Sequence, residues 1–180
     1  MYQLRSFTVE FNQLVVEEEC KTLAGMADLI AIMASIYATL DVNQEHFIVL
    51  ALDSAVKPIG YKRISSGCMD STTMDMRLVF QAAFHLGAYG IAVAHNHTNR
   101  QAIPSAADLR NTEQLMAAAS LVGMPVMDAI IFAYEEIFSY RLWQLSGGLN
   151  GRACIEDLPM IDAAVKTGAI GPRSAAASRT

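Results

Sequence analysis

The chain has 180 residues, of which 53% are hydrophobic and 17% charged, with a formal net charge of −5 and a pI near 5.3. That length suits one domain with a buried core, and the balance excludes a mainly disordered chain. The 13 Lys and Arg are scattered, which argues against nucleic acid as the main partner, because phosphate binding needs a basic cluster.

The N-terminus, MYQLRSFTVEF, lacks an apolar core followed by a small-residue cleavage site, so no secretory leader is expected. Residues 2–9 are expected to form an edge strand, with Tyr2, Leu4 and Phe7 as its apolar positions. The stretch 23–40, LAGMADLIAIMASIYATL, approaches the length of a membrane span but contains Asp28, which costs up to roughly 3 kcal/mol at mid-bilayer, and it lacks a basic flank. Its apolar residues run almost all round, so a helix covering 17–40 is expected to be buried in the core or in a homo-oligomer contact, not in a membrane.

HFIVLALD, 46–53, is apolar on both faces, as a strand covered on both sides should be. Residues 54–58 are expected to turn, and IGYKRISSG to continue as a second, more amphipathic strand. Helical spacing runs from Asp75 to Gly87, where glycine stops it. GIAVAHNH is a short buried strand. Ser105 begins a long helix, with Leu109, Leu115, Met116 and Ala119 facing the core, that ends near Gly123. MPVMDAIIFAY is expected to be a strand, and EEIFSYRLW a tight connection and a shorter strand. Residues 1–146 form one domain in this reading, and 147–180 a largely irregular tail with at most one short helix, around 155–166. The mixed order of strands and helices implies helices on both faces of one sheet.

Three cysteines, Cys20, Cys68 and Cys154, form no C-x-x-C pair. Reduced thiols and a cytoplasmic location are therefore expected, in preference to a disulfide framework or a cysteine zinc site. Asn96-His97-Thr98 matches a glycosylation acceptor, which carries no weight without secretion.

The chemistry concentrates in AHNHTNRQAIPSAAD, 94–108. His95 and His97, two apart at a strand end, project to one side and can meet one ion. Ser105 and Asp108, three apart at a helix start, share the face of its first turn. Should the loop 98–104 fold back, two imidazoles and a carboxylate leave a fourth position for water, the arrangement of a catalytic zinc. The same letters also fit two ordinary strand-end histidines and a capping box behind Pro104, and spacing alone leaves both readings open. Glu45, a carboxylate at the start of an otherwise apolar strand, can act as a base there or simply be solvated.

Glu45, then His95-Asn-His97, seven residues, Ser105, two residues and Asp108 resembles the JAMM motif of JAB/MPN+ metallopeptidases, and more closely the RadC-like branch. EHFIVLALD, ISSG, DMRLVFQAAFHLGAYGIAVAHNH, PSAADLRNTEQL and GMPVMDAIIF carry this resemblance over about residues 40–145. It implies an α/β, three-layer helix-sheet-helix fold of the JAB/MPN (cytidine-deaminase-like) type, with a mixed central sheet. It also implies one Zn²⁺ held by His95, His97 and Asp108, Glu45 as general base, Ser105 as oxyanion donor, and hydrolysis of a peptide or isopeptide amide in a protein or peptide substrate. A non-catalytic accessory or interaction domain, tied to DNA repair or mobile elements, is the competing implication of the same branch. The DNA-binding hairpin region common N-terminal to this domain in that branch has no counterpart in these 180 residues. A nucleoside deaminase would need H-x-E and P-C-x-x-C, and the sequence has neither.

Five positions, in three places, depart from the family pattern. Thr98-Asn99-Arg100 replaces Pro-Ser-Gly, with Asn99 expected to take any left-handed conformation the turn requires. Arg100 is read either as a solvated cation or as a dock for an acidic substrate group. Ala129 stands where a histidine is usual, removing a contact that could orient the metal site, and Met76 replaces a proline at a helix start. His46 and His85 are read as structural, Cys68 as a buried thiol, and Met69, Met74, Met76, Met116 and Met124 as core filler.

Overall fold

The computed structural model describes residues 22–67 and 74–166, apart from the side chains of residues 164 and 165. The expected strand at 2–9, together with Cys20, Cys68, Met69 and residues 167–180, lies outside the described residues. In chain order the elements are α1 (Met26–Tyr37), β1 (His46–Leu52), β2 (Pro58–Ser66), α2 (Met76–His85), β3 (Gly90–Asn96), α3 (Ala106–Leu121), β4 (Val126–Ala133), β5 (Glu136–Ser139), α4 (Tyr140–Leu145), β6 (Arg152–Cys154) and α5 (Leu158–Lys166), the last entered through a 3₁₀ turn at Ile155–Asp157.

Six strands form one mixed sheet in the order β2-β1-β3-β4-β5-β6, with only β3 and β4 parallel. A parallel pair needs a crossover, and α3 supplies it. The period-2 alternation of each strand sorts the side chains between two cores. Phe47, Val49, Ile91, Val93, Ala129 and Ile131 meet Val79, Ala82 and Ala83 of α2 and Leu115 and Ala119 of α3. Ile48, Leu50, Leu52, Ala92, Ala94 and Ile130 meet Leu29, Ile30, Met33 and Ile36 of α1 and Leu158 of α5 on the opposite face. This explains why all seven positions of β1 are buried. The three-layer expectation is met.

Helix α1 is shorter than its apolar run. It buries Leu29, Ile30, Met33 and Ile36 against the sheet and α5, while Asp28, Ala31 and Ser35 stay exposed. Among the described residues, no helix is long and apolar enough to cross a membrane. Helix α2 ends as expected at Gly87, whose φ of 68° is the left-handed cap that glycine adopts without a Cβ clash.

Two departures lie after β4. The short strand expected after the tight connection within 135–143 stops at Ser139, and Tyr140–Leu145 is helical. A buried carboxylate makes the difference. Asp128 accepts the Ser139 hydroxyl (2.6 Å) and the Arg141 N–H (3.0 Å), while Ser139 Oγ accepts the Leu142 N–H (3.0 Å), so the first helical donors are satisfied only if the chain turns.

The segment after Gly147, expected to be largely irregular, adds β6 to the sheet edge, and the short helix expected near 155–166 follows it as α5. From α5, Asp162 accepts the Met26 and Ala27 N–H groups (3.0 and 2.8 Å) and so caps α1 across the chain. Gly25 permits this approach, because a Cβ there would stand 2.4 Å from Asp162 Oδ2.

Candidate metal centre

Strand β3 delivers the two histidines. Its alternation puts His95 on the same face as Val93, toward α2 and α3, and pairs it with Phe47 on β1. The Phe47 and His95 rings stack with centroids 6.2 Å apart and planes 15° apart, which fixes the imidazole plane. His97 lies one residue beyond the strand, its N–H still donated to the Phe132 carbonyl of β4 (2.8 Å).

The loop 98–104 folds back and brings the start of α3 to these rings. Ser105 Oγ accepts the Asp108 N–H (3.1 Å), and Asp108 Oδ2 accepts the Ser105 N–H (2.7 Å), so the expected capping box is formed. The cap does not exclude the metal reading, since the same carboxylate reaches both histidines. His95 Nε2 lies 3.5 Å from Asp108 Oδ1, His97 Nε2 lies 3.7 Å from Oδ2, and the two Nε2 atoms are 3.0 Å apart.

The donor set fits zinc. Zinc bonds of about 2.0–2.1 Å put the corners of a tetrahedron about 3.4 Å apart, near the 3.5 Å from His95 Nε2 to Asp108 Oδ1 and the 3.0 Å between the two Nε2 atoms. The tautomer fits as well. His97 Nδ1 lies 2.9 Å from the Gln101 carbonyl oxygen, which can only accept, so Nδ1 carries the proton and Nε2 keeps its lone pair. Burial pushes His95 down to about 4, so this ring is neutral at pH 7. For His97, burial acts downward, but the Asp108 carboxylate, the Gln101 carbonyl and the Glu45 charge outweigh it and raise the pKa. For Asp108, burial acts upward, but the two histidines and Ser105 hold the carboxyl far below the usual carboxylate range. Two neutral-capable imidazoles facing a firmly ionised carboxylate are compatible with a divalent cation.

The triad opens onto a cavity of about 360 Å³ whose walls include Glu45, Phe47, Met74, Ile103 and Ser105. All five residues expected at the site therefore line one space, although Glu45 and Asp108 are far apart in the chain. Ala129, where the resemblance implied a histidine, also lines the cavity.

The positive φ falls on Arg100 (61°), not on Asn99 as expected. Asn99 Oδ1 accepts the Gln101 N–H (3.1 Å), and this side-chain turn leaves the next residue to absorb the reversal. The Arg100 guanidinium sits over the Tyr134 ring, 4.4 Å from its centroid, and Arg100 is not among the residues lining the cavity.

Sequence reading missed three contributors. The Gln101 carbonyl carries no residue signature, the Phe47 stack depends on strand register, and Asn96 was passed over although it stands between the histidines. His46 is buried, as expected of a structural residue, with Nδ1 2.9 Å from Ser66 Oγ and Nε2 2.9 Å from the Asp41 carbonyl.

Comparison with known proteins agrees with the fold. The family model of the RadC-like JAB domain matches residues 23–145. Similar curated proteins include a UPF0758 protein of Acinetobacter baylyi, 36% identical over 104 residues, covering 58% of this chain and 38% of the relative. A UPF0758 protein of Staphylococcus haemolyticus is 31% identical over 135 residues, 75% of this chain and 56% of the relative. One of Acidithiobacillus ferrooxidans is 31% identical over 141 residues, 78% of this chain and 63% of the relative. The chain thus spans less than two thirds of each of these relatives, and their shared name states no activity. With the mixed sheet and the matched stretch agreeing over most of its length, the chain belongs to the RadC-like JAB-domain family.

Proposed function

We propose that the protein is a zinc-dependent hydrolase of peptide or isopeptide amide bonds in a protein or peptide substrate. The observation that carries this reading is the His95, His97 and Asp108 triad. Its donor atoms lie within 4.8 Å of one another, at a cavity that also holds a carboxylate and a hydroxyl.

The chemistry that bound zinc supplies in such a site is Lewis acidity toward a carbonyl and acidification of water. The remaining work falls to side chains of this chain. Glu45 takes the proton of the attacking water and delivers it to the leaving amine, which one carboxylate can do in both directions. Ser105 Oγ already accepts the Asp108 N–H, so its own O–H is left to donate to the oxygen on which negative charge develops. Gln101 holds His97 in the ligating tautomer, and the cap holds Asp108. The apolar wall at Phe47, Met74 and Ile103 suits a substrate flanked by apolar groups.

Metal analysis is the first test. The purified chain should hold about one zinc, and a H95A/H97A double variant should hold none. E45A should keep the zinc and lose amide hydrolysis by a factor of at least about 10², in line with loss of a general base. A metal-free wild type would favour the interaction-domain reading, and an active E45A would remove Glu45 from its role.

A further inference from the structure

We propose that Asn96, between the two metal-binding histidines, is a positioning residue that holds Glu45 in register with them. This rests on the reading of Glu45 as the general base. Strand alternation turns the Asn96 side chain away from the face that His95 presents. There it meets the start of β1 with both ends of its carboxamide. Asn96 Oδ1 accepts the His46 N–H (2.8 Å), and Asn96 Nδ2 donates to the Gln44 carbonyl (2.8 Å). An N–H can only donate and a carbonyl can only accept, so the orientation of the amide is settled by its partners.

Residues 44 and 46 bracket Glu45. The antiparallel ladder between β1 and β3 runs from Leu52–Gly90 to Phe47–His95, and one further step sets His46 opposite Asn96. At that step the side-chain amide replaces the backbone pairing and carries the sheet one residue further. The Gly67 N–H, donated to the Glu45 carbonyl (2.9 Å), holds the same residue from the β2 side. The backbone that carries the base is thus fixed to the residue lying between two ligands, and a movement of either strand moves base and ligands together.

Neither aspartate nor alanine fits both tasks. Aspartate keeps the acceptor for His46 but sets an oxygen against the Gln44 carbonyl, and alanine makes neither bond. Each bond contributes little stability, whereas a misplacement of about 1 Å at a reacting group can cost on the order of 10²-fold in rate. Asn96 therefore matters for rate more than for folding.

The test uses the full, zinc-loaded chain with a quenched-fluorescent peptide library, comparing wild type, N96A, N96D, E45Q and N96A/E45Q. N96A should keep one zinc per chain and the wild-type KM, lose kcat by about 10- to 100-fold, and exchange the His46 amide proton faster by NMR. N96D should keep His46 protected and show an intermediate kcat, and N96A should cost nothing further on top of E45Q. The proposal is overturned by a kcat within twofold of wild type in N96A, by unchanged His46 exchange, or by loss of zinc, which would make Asn96 a support of the ligand strand and not of Glu45. Failure of the parent reading looks different: wild type and E45Q would be equally active or equally inert, and the catalytic role of Asn96 would fall with it whatever the exchange data show.

Discussion

Arg100 shows how one residue can carry opposing effects. Its φ of 61° places a side-chain-bearing residue in the left-handed region, at a cost of about 1–2 kcal/mol, while its guanidinium over Tyr134 returns about 0.5–1 kcal/mol. Alanine would keep the conformational cost and lose the stack, whereas glycine would lose both. R100G should therefore be more stable than R100A by about 1 kcal/mol in urea unfolding, and equal midpoints would show that the loop relaxes. The sequence showed that this loop leaves its family's pattern. It could not show which residue takes the reversal, because that depends on Asn99 closing on the Gln101 N–H, a bond set by the course of the loop.

At the scale of elements, Asp128 joins β4, β5 and α4. It is 4% exposed and accepts from Ala129, Ser139 and Arg141. Burial, only partly offset by those three donors, pushes its carboxyl up from 3.8 to about 6. A raised carboxyl pKa means the folded chain holds the proton where the unfolded chain has lost it. The associated stability is complete below about pH 4 and is lost as pH rises through about 6. Two pK units correspond to about 3 kcal/mol. The stability of wild type relative to D128N should therefore increase by about that amount between pH 7 and pH 4 in urea titrations. A difference independent of pH would show that the carboxyl does not titrate in this window. In sequence, 135–143 reads as a tight connection and then a short strand running to its end. Only this carboxylate, meeting Ser139 from a neighbouring strand, ends the strand and starts the helix.

For the whole molecule, the candidate ligands join β3 to α3, the crossover between the two parallel strands. An ion that binds there and not to the unfolded chain stabilises the fold by mass action, by about 2.7 kcal/mol at a free concentration 100 times Kd. Zinc should raise Tm and a chelator should lower it, with neither effect in the H95A/H97A variant. Acidification should weaken the zinc effect, because His97, raised above its ordinary value, takes up a proton first, while His95 stays neutral to about pH 4. A Tm insensitive to zinc would count against the metal centre whatever the substrate.

Much of this protein is determined locally. The apolar runs of β1 and β3, the glycine stop after α2, the Ser105 cap and the spacing of His95, His97, Ser105 and Asp108 follow from period, propensity and turn chemistry. These act over a few residues and can be read from the chain alone. Tertiary structure decided the contacts that join distant segments: Glu45 beside His97, Asn96 reaching back to Gln44 and His46, Gln101 fixing a tautomer, and Asp162 capping α1. Such contacts depend on strand order, register and loop path. A carboxylate or carbonyl in sequence carries no mark of the distant partner it will meet, and the partner is settled only when both segments are packed against the same sheet.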